Sequence, residues 1–294
     1  MVSNGSETPA FDSDELQGLK QKLVDGCHIL DGEGITDGYG HVSIRVPGTE
    51  AFVTIAAVSP GCASLERLVM LDFDGRYLGG QNAPPYEWPI HACIFKARRD
   101  VMSICHTHSK WSSLFSILRG GLPPIHMYAK FLPPAGPPIY PAAGLISTVE
   151  RGEALVRTLQ DSAAVLLRAH GDAVVGASLE QAILRTLQLA FLGELAHMAV
   201  AHGEPLYITG EELATFAADQ AFPARPWEYY LSRIRERRSS GQPRHRRIDS
   251  PNRETDLPSR GSHGWQSRRR AKNRLFRIER VDRKTNYCVP HFGS

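Results

Sequence analysis

No pair of cysteines in this 294-residue chain stands in a CxxC spacing. The five present, Cys27, Cys62, Cys93, Cys105 and Cys288, are odd in number and scattered, which excludes a disulfide framework and a zinc-finger pattern. Cys93 and Cys105 lie in apolar surroundings and read as small buried hydrophobes. No apolar run approaches the length needed to cross a bilayer. Residues 1–14 are polar and acidic, with neither the basic start nor the apolar stretch of a secretory signal. The expectation from these absences is a cytoplasmic chain with no membrane partner. Internal repeats are missing too.

Charge is balanced overall, at +3, but not along the chain. Residues 1–232 carry 16 basic against 25 acidic side chains, a formal −9, whereas 233–294 carries 18 against 6, or +12. From Arg233 onward Arg, Ser, Gly, Pro and Asn dominate, and such a composition buries too little surface to offset ordering entropy. We therefore expect a basic, disordered tail over 233–294, a disordered start over 1–14, and one domain over 15–232. A nucleic-acid-binding arm is the alternative for the tail. The lack of aromatic–basic interleaving weighs against nucleic acid as a partner.

Within the acidic part, residues 12–30 repeat apolar side chains at helical spacing (Leu16, Leu19, Leu23, Cys27, Leu30). Short alternating strands are expected over 41–46, 51–57 and 68–73, the last closed by the turn pair Asp74-Gly75. Helices follow at 87–98 and 109–118, with a strand over 101–107 between them. Residues 122–140 are rich in proline and must be largely irregular. A capping box, Ser147-x-x-Glu150, opens a helix to 159, a buried strand covers 163–168, and Ser178-x-x-Gln181 opens a long helix to 201. That last helix is apolar on more than one side, so it should lie between layers or against a partner subunit. Hairpins among the strands favour a mixed or antiparallel sheet covered by helices over a doubly wound parallel one.

The chemistry sits at strand ends. His106 and His108, two apart on a strand, point to one face and can approach one ion. Two neighbouring histidines sharing a polar edge is the bland alternative. His170 ends another strand, and the following Gly171 would let the backbone turn sharply. Three imidazoles make the open three-ligand arrangement of a catalytic metal site, without naming zinc, manganese, iron or cobalt. Glu87 opens a helix, where carboxylates commonly complement the helix dipole. Beside an ion it becomes a fourth ligand or the acid/base.

Four motifs together, Glu87-Trp-Pro-Ile-His91, Phe95-Lys-Ala-Arg98-x-Asp100-Val101, His106-Thr-His-Ser109 and Ala169-His-Gly171 before a long helix, resemble the class II aldolase/adducin family over residues 15–230. The resemblance implies an α/β/α sandwich around a mixed, largely antiparallel sheet. It also implies one divalent metal ion per subunit on His106, His108 and His170, with Glu87 as ligand or base, and a homo-oligomer, favouring a tetramer with active sites at subunit boundaries.

Where the family's sugar-phosphate aldolases carry Gly-Asn-x-Ser, this chain has Gly40-His41-Val-Ser43-Ile-Arg45. The stretch before Glu87 is Ala83-Pro-Pro-Tyr86, and prolines donate no N–H to a phosphate. The Gly-His-Val-Ser-x-Arg motif resembles the family's decarboxylase branch, which acts on hydroxylated aromatic acids or carboxy-semialdehydes. Alternation puts His41, Ser43 and Arg45 on one face, where they could grip a substrate carboxylate. The alternative is an Arg45 paired with an acidic neighbour and a His41 satisfied at its strand end. The carbanion formed when a carbon–carbon bond breaks needs an acid, and Glu87, Tyr128 and Tyr140 are candidates. Tyr128 lies one residue from where the resembling aldolases place a catalytic tyrosine. The expectation is a metal-dependent lyase, decarboxylase before aldolase. An iron-dependent oxygenase or a non-catalytic adducin-like interaction module are the other readings.

Overall fold

The computed structural model describes residues 8–217 and 224–240. Its centre is one eight-stranded sheet in the order β4-β3-β2-β1-β5-β8-β7-β6. The strands are β1 (His41–Arg45), β2 (Ala51–Ile55), β3 (Leu68–Asp72), β4 (Tyr77–Gly80), β5 (Ser103–Thr107), β6 (Ile139–Tyr140), β7 (Ala164–Leu167) and β8 (Gly171–Gly176). Every neighbouring pair is antiparallel except β6–β7. The Asp74-Gly75 turn does close a hairpin. Asp72 accepts hydrogen bonds from the Asp74 and Arg76 N–H groups, which folds the chain back into β4.

Helices cover both faces, as in an α/β/α sandwich. On one side α1 (Asp14–Gly32), α5 (Leu179–His202) and α7 (Ala224–Ser239) pack on the alternate residues Val42, Val53, Ile55 and Cys105. On the other, α2 (Trp88–Ala97) and α4 (Val149–Leu159) bury Phe52, Val69, Ile104 and Ala173. The remaining helices are α3 (Lys110–Ser116) and α6 (Gly210–Ala217). Among the described residues, α5 alone is long and apolar enough to cross a bilayer. Much of it packs on the sheet, with Ile183, Leu189 and Leu192 at 1% exposure or less. Phe191, Met198 and Val200 remain exposed along it.

Several local expectations shift. The α4 cap is Thr148, whose side chain accepts from Arg151 N, one residue beyond Ser147. Ser178 caps α5 as expected, accepting from Gln181 N. Strand β8 was not legible, because Gly171-Asp-Ala-Val-Val-Gly176 is short and glycine-bounded. At the start of the chain, Phe11 packs against the α1 core and its carbonyl accepts from Lys20 Nζ. Residues 8–13 are therefore tied down, and 1–7 lie outside the described residues. The composition break at Arg233 does not coincide with a structural boundary. Helix α7 runs through it, burying Trp227, Leu231 and Ile234, while Arg233 and Arg237 pair with Glu33 at 3.3 and 3.4 Å. Residues 241–294 of the expected tail lie outside the described residues.

Candidate metal centre and active-site cleft

The site is assembled by the register of the central strands. His41 on β1 pairs with His106 on β5, and His106 pairs in turn with Ala173 on β8. A strand alternates faces, so His41 and His106 both turn toward α2, the layer opposite α1. His108 lies just beyond β5. His170 sits in the tight β7–β8 turn, held by its N–H to Leu167 O at 2.9 Å. The turn's left-handed residue is Ala169, with φ +56°. Gly171 has a different task from the one expected: a Cβ there would collide with the Thr107 carbonyl, so glycine permits β8 to approach β5. Gly40, at φ +94°, likewise lies against the His106 carbonyl.

These turns bring three imidazoles and one carboxylate together. Nε2 of His108 is 3.1 Å from Nε2 of His106 and 3.0 Å from Nε2 of His170. Glu87 Oε2 lies 3.6 and 3.4 Å from the His106 and His170 nitrogens, and the four ligand atoms all fall within 4.8 Å of one another. Bonds of about 2.0–2.1 Å to a small divalent ion place neighbouring ligand atoms about 3 Å apart. Nδ1 of His106 donates to Asp172 O at 2.7 Å, which fixes the ring with Nε2 turned toward the other ligand atoms. Burial, with His106 and His170 nearby, pushes His108 down to about 4. Three imidazole nitrogens and a carboxylate oxygen converge on one point, the donor set that a divalent cation takes. The residues fit a divalent metal.

Glu87 stands at the N-cap of α2, 6% exposed, with Oε1 accepting from Ile146 N at 2.6 Å. Burial works to raise its pKa but is outweighed by His106 and His170, which hold it well below the usual carboxylate range. It is therefore ionised, and its chemistry suits a ligand or base rather than an acid. Asp172 braces the cluster from beneath, accepting from Thr107 Oγ1 at 3.0 Å.

Beside the cluster opens a cleft of about 500 Å³ lined by Tyr39, Gly40, His41, Ala56, Ala57, Val58, Pro85, Tyr86, Glu87, His108 and Leu145, among others. Tyr39 stacks on His108, centroids 5.7 Å apart and planes at 22°. Of the three β1 residues expected to bind substrate, only His41 reaches this cleft. Ser43 is fully buried, its hydroxyl 2.5 Å from His91 Nδ1. Arg45, expected to bind substrate, is instead engaged in the core: its guanidinium donates to the carbonyls of Phe95, Arg98 and Val101, and stacks over the Phe73 and Phe95 rings. No carboxylate forms an ion pair with it among the described residues.

Neither tyrosine belongs to the cluster or to the cleft lining among the described residues. Tyr140 is buried in the core under α4. Tyr128 packs its ring against His126 and Phe191. His91 is the residue that sequence reasoning passed over. Its spacing from Glu87, one helical turn, was the available signal.

Known proteins are similar to this chain in sequence and fold. The model of the class II aldolase and adducin N-terminal domain matches residues 21–197. A 3,4-dihydroxyphthalate decarboxylase of Arthrobacter keyseri is 28% identical over 203 residues, covering 64% of this chain and 82% of its own. An L-fuculose phosphate aldolase of Escherichia coli K12 is 25% identical, covering 67% and 91%. Among solved structures, an aldolase II superfamily protein from Pseudomonas syringae superposes with a TM-score of 0.68 at 24% identity, covering 77% of this chain and 95% of that one. Since the family match spans the strands and turns that carry all four candidate ligands, the chain belongs to the class II aldolase and adducin N-terminal domain family.

Proposed function

We propose that this chain is a divalent-metal-dependent lyase that decarboxylates an unphosphorylated, hydroxylated aromatic acid. The observation that carries this reading is the cleft wall. Beside the four-ligand cluster it is made of Tyr39, Ala56, Ala57, Val58, Pro85 and Leu145, and its lining contains no lysine or arginine. An aromatic ring fits such walls by stacking and dispersion. A sugar phosphate needs convergent donors, which Pro84 and Pro85 cannot supply. The name of the Arthrobacter relative, a decarboxylase of a dihydroxylated aromatic acid, agrees with this choice.

When bound on His106, His108 and His170, a divalent ion supplies a Lewis acid for charge developing on adjacent substrate oxygens. The chain's own residues handle the proton and the carboxylate. Glu87, ionised and held by the Ile146 N–H, is placed to take a proton from a substrate hydroxyl. The bond between ring and carboxylate then breaks, its electron pair staying on the ring carbon, and carbon dioxide leaves. Glu87 returns the proton to that carbon, so the count closes. His41, in place of Arg45, offers its cleft-side nitrogen to the carboxylate. The apolar walls keep water away from a charged group that departs neutral.

A second reading, aldol cleavage of a sugar-derived substrate, is favoured by the similarity to the fuculose phosphate aldolase. The exposed apolar face of α5 supports a homo-oligomer, of which a tetramer fits the family resemblance. In such an assembly Tyr128, on the same side as Phe191, has a role only if a neighbouring subunit's cleft receives it. The test is elemental analysis of purified protein, then a screen of hydroxyaromatic acids for carbon dioxide release. Competitive inhibition by a hydroxy acid should be tighter than by its phosphorylated counterpart. Tighter inhibition by the phosphate compound returns the chain to the aldolases.

A further inference from the structure

Under the cleft, three side chains form an unbranched chain that the metal centre does not use. His41 Nδ1 lies 2.6 Å from His91 Nε2, and His91 Nδ1 lies 2.5 Å from Ser43 Oγ. His91 and Ser43 are at 0% exposure, and His41, at 7%, borders the cleft. Helix α2 lies along β1 so that its turns meet alternate strand residues. Four helical residues rise about 6 Å and two strand residues about 6.7 Å, so the contacts keep step.

Counting protons decides how the chain is oriented. A neutral imidazole carries one N–H and a hydroxyl carries one O–H. A second proton on either ring would put an N–H on His91 Nδ1 and leave the buried Ser43 O–H without an acceptor, so each ring carries one. Three protons then serve two hydrogen bonds, and the third must sit at one end. At the Ser43 end it would be a hydroxyl hydrogen in a dry core, where no acceptor other than His91 Nδ1 is found among the described residues. At the His41 end it would be an N–H at the cleft, where substrate or water can accept it. A buried donor left without a partner is the costlier arrangement.

We infer that Ser43 and His91 are positioning residues that lock His41 in its Nε2–H tautomer, so that it meets the substrate as a neutral hydrogen-bond donor. Ser43 donates to His91 Nδ1, His91 Nε2–H donates to His41 Nδ1, and His41 Nε2–H is left for the cleft. The same chain bars His41 from acting as the acid. Giving up its proton would require either an imidazolate or a buried serine alkoxide. An N–H donor suits a carboxylate or a developing oxyanion and rejects a cationic group at that point. The functional half of this inference rests on the proposed lyase reading; the tautomer does not.

The experiment separates the two. In zinc-loaded, full-length protein labelled with ¹⁵N-histidine, long-range ¹H–¹⁵N correlation should show His41 protonated at Nε2, assigned by the signals lost in His41→Gln. Ser43→Ala should populate both tautomers of His41 with zinc content unchanged. It should also lower kcat/KM on the carboxylate substrate about tenfold, the effect of weakening one oriented donor. Adding His91→Gln, whose amide N–H replaces the Nε2 donor, should restore the Nε2–H signal and most of that loss. A proton on His41 Nδ1 in the wild-type protein, or a Ser43→Ala variant with an unaltered tautomer, overturns the inference. An Nε2–H tautomer in a protein that releases no carbon dioxide from any hydroxy acid supports the tautomer and overturns the lyase reading instead.

Discussion

At one end of β1, His41 borders the cleft and Ser43 lies buried behind it against His91; two residues on, Arg45 faces Phe95 at the other end of the same helix. Strand, face and partner helix are shared, and the outcomes are opposite. The His41 end abuts a β5 histidine and open space, so its polar atoms are available to a ligand. The Arg45 end abuts the C-terminal turn of α2, whose last carbonyls lack helical partners. There the guanidinium is used up by Phe95, Arg98 and Val101. A polar residue on a strand becomes functional or structural according to which end of the opposing helix it meets.

Removing the ligands beyond His41 should have the largest effect. His106→Ala or His170→Ala is expected to abolish stoichiometric divalent metal by elemental analysis while circular dichroism shows a folded chain. Full occupancy in the double variant would remove the metal centre from consideration. Next comes Glu87→Gln, which keeps the acceptor for Ile146 N–H and deletes the charge. Turnover should fall by about 10²–10⁴, and an unchanged rate would reduce Glu87 to a helix-terminal residue.

Arg45→Met tests the opposite end. Leaving three carbonyls without their donor should destabilise the fold by about 2–4 kcal/mol in denaturant unfolding. KM for a carboxylate substrate should stay within about twofold. A large rise in KM with unaltered stability would return Arg45 to the binding site.

Between the two ends, His91 predicts a pH dependence. Its pKa, depressed to about 3 by burial and the nearby His106, lies below the unfolded value near 6.5. The unfolded chain therefore binds the proton first, and stability present above about pH 6.5 is lost as pH falls toward 3. The limiting slope is about 1.4 kcal/mol per pH unit. His91→Gln should flatten that slope in urea titrations of the metal-free protein, and an identical slope would mean that His91 is already charged in the fold.

The smallest effect is expected at the far edge of the domain. A chain ending at Ser240 should match the full-length protein in melting and metal content. One ending at Ser232 loses Ile234 and both arginine partners of Glu33, and should be less stable by about 1–2 kcal/mol. Equal melting of the two would place the boundary at Arg233 after all.

Much of this was legible in the sequence, because it depends on periodicity and neighbouring residues. Helical spacing from Leu16 to Leu30, the Asp74-Gly75 turn and the Ser178 cap each specify local structure without distant contacts. Two-residue alternation likewise placed His106 and His108 on one face, and the four motifs named the family and the residues that gather in the candidate metal cluster. Tertiary structure decided what depends on contacts far along the chain. Register of β1 against β5 put His41 beside His106, and the course of α2 over β1 gave Ser43 to His91 and Arg45 to backbone carbonyls. Alternation could say that these three residues share a face. It could not say that the face is roofed by one helix over most of its length, because that depends on packing between segments some fifty residues apart. Composition marked Arg233 as a border, yet Arg233 and Arg237 belong to α7, since charged residues on the outer side of a helix do not prevent its apolar stripe from docking on α1.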